Sequence, residues 1–134
     1  MKLVSRSQRA AIRELINVAR GELILASPYI KRAEADWVCD ELKHNDASAI
    51  DVRILTDVRT DSVLSGSLDI EALLVFHTAL SKATVVNLPR LHAKVYLADC
   101  DRAFVTSANL TTPGLDANFE YGVTIDEQLV VAEG

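Results

Sequence analysis

The residues best suited to chemistry lie in one segment, residues 91–109, with the sequence LHAKVYLADCDRAFVTSAN. On an extended strand His92 and Lys94 would project to the same side, about 6–7 Å apart, and could meet one anion. A neutral imidazole can attack phosphorus near neutral pH, because the reference pKa of histidine is about 6.5. Lys94 could bind non-bridging phosphate oxygens, while Ser107 and Asn109 add neutral hydrogen-bond donors. This combination predicts phosphoryl transfer.

A single chain does not meet every demand of that reaction. A carboxylate on the far ring nitrogen would set the tautomer, and Glu120 is the candidate because it lies in a predicted strand, residues 119–125. The leaving oxygen also needs an acid, which the attacking histidine cannot supply at the same time. His44 and His77 lack a lysine partner, and we interpret them as a solvated helix-end residue and a hydrogen-bonded packing residue. A two-fold homodimer with two copies of His92 face to face would complete the site.

The strand pattern around the site predicts a hairpin register. Residues 91–97 alternate between an apolar side and a side that carries His92, Lys94 and Tyr96, and residues 103–107 return as an antiparallel strand. A turn centred between residues 100 and 101 would gather the polar side chains on one face, whereas a slip of one residue would separate them. The expected pairs are Tyr96 with Val105, Lys94 with Ser107, and His92 with Asn109.

The preceding elements alternate between strands and helices, which predicts an α/β fold with parallel strands. Strands are expected at residues 22–27, 50–56 and 83–88, and helices at residues 5–20, 34–44 and 68–80. The last helix is expected to bury one stripe that consists of Ile70, Leu73, Leu74, His77 and Leu80. The antiparallel strands of the predicted hairpin and a last strand at residues 119–125 would make the sheet mixed. The loop at residues 57–67 does not have the spacing of a calcium loop, so we do not interpret Asp57, Asp61 and Asp69 as metal ligands.

Length and composition fit one soluble domain that spans residues 1–134, with 49% apolar and 25% charged residues. No apolar run is long enough to span a bilayer, and the amino terminus does not resemble a secretory signal. We therefore expect a cytoplasmic protein in which Cys39 and Cys100 are free thiols.

The net charge of −5 argues against non-specific binding of nucleic acid by the whole surface. Residues 1–32 contain seven basic and two acidic residues, a charge of +5, so the remainder carries −10. Arg6, Arg9 and Arg13 lie on one face of the first predicted helix. A solvated helix face explains them more simply, but they are the candidate nucleic-acid contacts.

Three motifs resemble those of the phospholipase D superfamily. His92, Lys94 and Asp99 match HxKxxxxD, residues 106–109 resemble GSxN, and residues 118–120 resemble N-x-E. The order of strands and helices is similar to one phospholipase D repeat over nearly the whole chain. The resemblance implies a mixed β-sheet flanked by helices, no metal or other cofactor, and similarity to the small homodimeric bacterial endonucleases of the superfamily.

The resemblance also implies roles for individual residues. His92 would form a phosphohistidine, and His92 of a second subunit would act as acid and then base. Lys94, Ser107 and Asn109 would hold the phosphate, and Glu120 would bind a catalytic histidine. Asp99 belongs to the same catalytic motif but is expected to support the site or the dimer contact. Thr106 replaces the usual glycine, and its side chain is expected to face away from the site.

The most favoured function is therefore a metal-independent nuclease that acts on DNA in preference to RNA. Lipid head-group transfer is a second enzymatic interpretation, weakened because the chain has no evident amphipathic membrane helix. A non-catalytic dimerising or nucleic-acid-binding module, or one domain of a larger enzyme, is the remaining alternative.

Overall fold

The computed structural model describes residues 1–5, 7–59, 63–66 and 68–127. Seven strands form one mixed sheet in the order β1-β7-β6-β5-β2-β3-β4. They are β1 (Lys2–Val4), β2 (Glu22–Ala26), β3 (Asp51–Thr56), β4 (Ala83–Asn87), β5 (Val95–Ala98), β6 (Arg102–Thr106) and β7 (Gly122–Ile125). The helices are α1 (Gln8–Val18), α2 (Arg32–His44), α3 (Ile70–Ala79) and a short π-helix (Pro113–Ala117). The predicted α/β fold with a mixed sheet and flanking helices is confirmed.

Strand direction determines where polar side chains can meet. β2, β3 and β4 are mutually parallel, β5 is antiparallel to β2, and β6 and β7 continue as antiparallel neighbours. The carboxyl ends of β2, β3, β4 and β6 therefore share one edge with the amino ends of β5 and β7. We call this the site edge, because the segments with His92, Ser107 and Glu120 all begin or end there.

One face of the sheet is buried under the helices. It carries fully buried side chains from the central strands, including Leu25, Ile54, Tyr96 and Phe104. The opposite face is less covered, since Val105 remains 43% exposed. α1 buries Ile12, Leu15 and Ile16 along one stripe, and Ala19, which follows its last residue, is buried too. Ser7 is the amino-terminal cap residue of α1 and makes no side-chain cap bond.

The predicted inward stripe of α3 is wrong in part, since Leu80 is buried and Leu73 packs against the core but the other members are exposed. The helix buries Ala72 and Phe76, whereas Ile70 and Leu74 are 42% and 56% exposed. His77 is exposed too, so it is not a packing residue. Because α3 is apolar nearly all round, its periodicity could not show which side would contact α2 and β4.

The predicted hairpin register is also wrong, by one residue. Tyr96 pairs with Phe104, and Ala98 pairs with Arg102, so three residues form the turn. Positive φ angles of 55° at Asp99 and 57° at Cys100 accommodate this three-residue turn. The slip places Ser107 on the opposite side of the strand from its predicted position.

Asp99 explains why the turn adopts that form. Its carboxylate accepts N–H bonds from Arg20 (2.8 Å), Gly21 (2.7 Å) and Glu22 (2.9 Å), which lie between α1 and β2. Burial tends to raise the pKa of Asp99, but the three backbone donors outweigh it and hold the pKa below its ordinary value. The carboxylate thus ties the β5–β6 turn to the start of β2.

Replacing Asp99 with alanine should lower the free energy of unfolding by about 2 kcal/mol, because three N–H groups lose a charged acceptor. The effect should depend on pH. Since the folded-state pKa is lowered, the stabilisation is complete above the unfolded pKa of about 3.9 and is lost as pH falls through the folded value. Urea unfolding near neutral pH and at about pH 3 would measure this. Asp101→Ala, an exposed carboxylate in the same turn, is the matched control; a loss for Asp99→Ala that persists undiminished in acid would contradict the assignment.

Candidate active site

The histidine and lysine of the motif are adjacent at the site edge. Lys94 Nζ lies 3.4 Å from His92 Nε2, and the side chain of His92 is exposed to solvent. An ammonium group can only donate, so a neutral imidazole bonded to it in this way accepts at Nε2 and carries its proton on Nδ1. Both residues precede β5, so the prediction that they lie within a strand is wrong. They are nevertheless side by side, as their spacing indicated.

A second polar pair comes from the segment that follows β6 and the segment that precedes β7. Ser107 Oγ donates to Glu120 Oε1 at 2.7 Å and accepts the N–H of Tyr121 at 3.2 Å. The hydroxyl hydrogen of Ser107 is therefore committed to a carboxylate in this state. Glu120 bonds to Ser107 and not to His92 of the same chain, so its predicted bond to a catalytic histidine stays a prediction.

Asn109 lies beside a serine that the sequence pattern did not single out. Ser27 is fully buried beyond the end of β2, donates to the carbonyl of Tyr29 at 2.8 Å and accepts the N–H of Leu110 at 3.0 Å, and its Oγ lies 3.4 Å from Asn109 Oδ1. Gly114 packs so closely that an added Cβ would lie 2.5 Å from the carbonyl oxygen of Asn109. Any larger residue at position 114 would displace the asparagine.

Not every predicted site residue reaches this edge. Asp99 lies beyond the other end of β5 from Lys94, with its carboxylate bound to the three backbone N–H groups described above. This geometry separates Asp99 from the other candidate catalytic residues, and the role expected for it, support of the site or of the dimer contact, stays a prediction.

The candidate nucleic-acid contacts on α1 are engaged within the protein. Arg9 binds Asp116 at 2.6 Å and the buried Glu34 at 2.8 Å, and it stacks 4.7 Å from the centre of the Trp37 ring. Asp116 raises the pKa of Arg9 against the opposing effect of burial, and Glu34 raises it further. Arg13 pairs with Glu41 at 3.2 Å. Arg6 lies outside the described residues.

Another group at the site edge was missed by the sequence analysis. Asp57, just beyond β3, is buried and accepts the guanidinium of Arg59 at 2.5 Å and the backbone N–H of Arg90 at 3.1 Å. The hydrogen bond from Arg59 is the main cause that lowers the pKa of Asp57, to about 2. The only sequence signal was an aspartate directly after a strand.

Thr106 faces away from the site, as expected. Its side chain is buried beneath α1, where Oγ1 donates to Gln8 Oε1 at 2.6 Å and accepts the N–H of Ala108 at 3.1 Å. Gln8 in turn donates to the backbone carbonyl of Glu120 at 3.3 Å. Gly122 allows this packing, because an added Cβ would lie 2.4 Å from the ring of Phe104. Thr106 thus links α1 to the segment that contains Ser107 and Asn109 and to the segment that contains Glu120.

Replacing Thr106 with valine should cost about 1–3 kcal/mol of stability, because it leaves buried polar groups of Gln8 and Ala108 without a partner. Thermal unfolding would measure the loss. Thr84→Val, at an exposed threonine on β4, is the control. An unchanged melting temperature for Thr106→Val would show that this network contributes nothing.

Three further observations bear on chemistry elsewhere in the chain. Among the described residues, no three histidine, cysteine, aspartate or glutamate side chains converge as a metal site would require. Cys39 is buried and Cys100 is exposed, and both are free thiols, as predicted. None of the described helices has the length and apolar composition needed to cross a membrane.

The chain has an α/β fold with one mixed sheet, and a histidine and a lysine lie side by side at its site edge. Residues 12–133 match the family model described as the PLD-like domain of cardiolipin synthase. The chain therefore belongs to the phospholipase D superfamily. A comparison with curated proteins finds no significant sequence match.

Solved structures share the fold at low sequence identity. NucT from Helicobacter pylori is 16% identical with a TM-score of 0.75, and the match covers 98% of this chain and 88% of NucT. Nuc from Salmonella typhimurium, a phospholipase D family member, is 18% identical with a TM-score of 0.73 and the same coverages. Phosphatidylserine synthase from Haemophilus influenzae has a TM-score of 0.68 at 16% identity, but the match covers 97% of this chain and 34% of that protein.

Proposed function

We propose that this chain is a metal-independent phosphodiesterase that cleaves nucleic acid, DNA in preference to RNA, through a phosphohistidine intermediate. The observation that carries this proposal is the pair formed by exposed His92 and half-buried Lys94, with Nε2 and Nζ 3.4 Å apart, on the same edge as Ser107, Asn109 and Glu120. Membership of the phospholipase D superfamily supports the reaction type.

The first step forms a bond between His92 Nε2 and phosphorus while the bond to the leaving oxygen breaks. An incoming phosphate draws the ammonium of Lys94 from Nε2, which frees the ring lone pair for attack. Lys94 and the amide of Asn109 bind the non-bridging oxygens, where negative charge must be stabilised. The leaving oxygen takes a proton from a second imidazole.

The second step returns the enzyme to its starting state. Water attacks the phosphohistidine, the second imidazole accepts a proton from that water, and the nitrogen–phosphorus bond breaks. The products are the phosphate monoester and neutral His92. A single histidine cannot be both the nucleophile and the proton donor, so the second imidazole is His92 of another copy of the chain.

Exposed aromatic residues support a homodimer through the site edge. Phe119 is 103% exposed and Tyr121 is 63% exposed, on either side of Glu120, and Tyr29 beyond β2 is 45% exposed. Large apolar side chains at the rim of a polar site are typical of interfaces. A two-fold contact at this edge would bury them and bring the two copies of His92 together.

Hydrolysis in EDTA tests the proposal directly. Purified chain should release nitrophenol from bis(p-nitrophenyl) phosphate and should also cleave a single-stranded DNA oligonucleotide. Vesicles of anionic phospholipid, supplied with an alcohol acceptor, test the lipid alternative that the description of the family model raises. Head-group release without oligonucleotide cleavage would replace the nuclease proposal, and no reaction with any substrate would favour a non-catalytic module.

A further inference from the structure

An arginine outside the family motif lies at the site edge. The connection from β4 to β5 must pass the ends of β3 and β2, because these two strands separate β4 from β5 in the sheet. Arg90 is held at the end of β3, where its N–H donates to Asp57 Oδ2 at 3.1 Å. His92 and Lys94 follow in the same connection. Arg90 and the catalytic pair therefore occupy neighbouring positions along one edge.

The backbone conformation of Arg90 is unfavourable for an arginine. The N–H of Leu91 bonds to the carbonyl of Leu88 at 3.1 Å, which closes a turn with Pro89 and Arg90 at its centre. Arg90 has a φ of 68°, at a turn position where glycine or asparagine is preferred. Residues held in such conformations are frequent in ligand-binding segments.

The charge of Arg90 is not neutralised by the carboxylate that holds its backbone. Asp57 already binds the guanidinium of Arg59 at 2.5 Å. The side chain of Arg90 is exposed, and no carboxylate of the described part of the chain lies within ion-pairing distance of it. By contrast, Arg9 and Arg13 on α1 are engaged in ion pairs. Arg90 therefore presents an available cation beside the site.

The distance between Arg90 and the pair of His92 and Lys94 suits a second phosphate. Neighbouring strands are about 4.8 Å apart, so two strand intervals separate the end of β3 from the start of β5 by about 10 Å. A nucleic-acid strand carries a phosphate at every nucleotide, about every 3.4 Å of axial rise in a duplex, so one near the scissile phosphate would lie within reach of an arginine side chain. A diacyl phospholipid with a neutral head group has only the phosphate under attack.

We propose that Arg90 binds a phosphate adjacent to the scissile one, which makes it a specificity-determining residue for polynucleotides over single phosphodiesters. This inference rests on the proposed function, because it assumes that His92 and Lys94 hold the scissile phosphate. Arg90 would act in binding and not in the chemical step. The unfavourable turn conformation is then the cost of presenting its guanidinium beside the site.

Kinetics with two substrates test the role of Arg90. Arg90→Ala should lower the ratio of kcat/KM for a DNA oligonucleotide to kcat/KM for bis(p-nitrophenyl) phosphate about ten-fold, mainly through KM for the oligonucleotide. Arg102→Ala is the matched control, because Arg102 is exposed at the opposite end of the sheet. An unchanged ratio for Arg90→Ala would overturn the proposal.

Binding separates this inference from the catalytic proposal. Fluorescence anisotropy with the same oligonucleotide, in a His92→Ala background, measures affinity without cleavage. Adding Arg90→Ala should weaken binding and reduce the slope of log affinity against log salt by about 0.7, the value for one phosphate contact to a single strand. An unchanged slope would overturn the role of Arg90, even if the wild-type chain cleaves the oligonucleotide. A reduced slope would support it, even if no cleavage occurs.

Arg90→Gly provides a check on folding. Glycine adopts a positive φ without steric strain, so this variant should melt at a higher temperature than the wild type. It should show the same loss of oligonucleotide affinity as Arg90→Ala. Weak binding by a more stable protein would show that the loss comes from the missing guanidinium, whereas wild-type binding by Arg90→Gly would contradict the proposal.

Discussion

Replacing His92 with alanine should reduce phosphodiester hydrolysis at least about 10⁴-fold, because it removes the group that bonds to phosphorus. The measurement is the rate at which nitrophenol is released from bis(p-nitrophenyl) phosphate in EDTA. Stability should change little, since the side chain of His92 is exposed and Nε2 lies 3.4 Å from Lys94 Nζ. The melting temperature of the variant would therefore separate loss of chemistry from loss of structure.

His77→Ala is the matched control for this variant. His77 is an exposed histidine on α3, outside the site, so its replacement should leave hydrolysis within two-fold of the wild-type rate, about 0.4 kcal/mol. A phosphohistidine trapped from labelled substrate by rapid quenching should be absent in His92→Ala. Hydrolysis by His92→Ala within about ten-fold of the wild type, equivalent to about 1.4 kcal/mol, would exclude His92 as the nucleophile.

Replacing Phe119 with aspartate should convert a homodimer to monomers and abolish hydrolysis at protein concentrations where the wild type remains dimeric. The ring of Phe119 is 103% exposed in the isolated chain, and a two-fold contact would place the substituted charge at the interface twice. Light scattering should give twice the chain mass of 14.7 kDa for the wild type and that mass for the variant. Leu74→Asp, at a 56% exposed leucine on α3, is the control.

Mixing subunits distinguishes a shared active site from a dimer that only adds stability. A mixed dimer of wild-type and His92→Ala chains contains one His92. Its shared active site therefore lacks either the nucleophile or the acid. Excess His92→Ala chains should lower the rate per wild-type chain towards zero after subunit exchange. A rate that stays proportional to the wild-type chains would show that each subunit acts alone, as would an active monomer.

The two strongest supports for the proposed activity are of different kinds. Family membership supports phosphodiester chemistry, and the 3.4 Å approach of Lys94 to His92 brings the two proposed catalytic side chains together. The proposal that nucleic acid is the substrate depends instead on surface charge. The arginines on α1 contribute little to it, because Arg9 and Arg13 pair with carboxylates. The site edge, with Lys94 and Arg90, is therefore the surface on which substrate selection should be tested.

Most of the fold could be predicted because its signals are local. Turn residues and alternating apolar positions located β2, β3 and β4, and the 3.6-residue period located α1 together with its buried face. The same method failed on α3, whose sides are almost equally apolar. β1 was missed because three residues, Lys2–Val4, carry too little pattern, and their pairing with β7 joins opposite ends of the chain.

The sequence by itself determined the reaction type and the residues that could perform it, since His92 and Lys94 are two residues apart and need only an extended segment to meet. Tertiary structure decided the hairpin register, through the bonds of Asp99 to residues 20–22. It also decided which arginines remain available, because Arg9 pairs with Asp116, 107 positions away, while the backbone of Arg90 is held by Asp57. The physical reason is the same in each case: a contact between distant segments leaves no periodic trace in either of them.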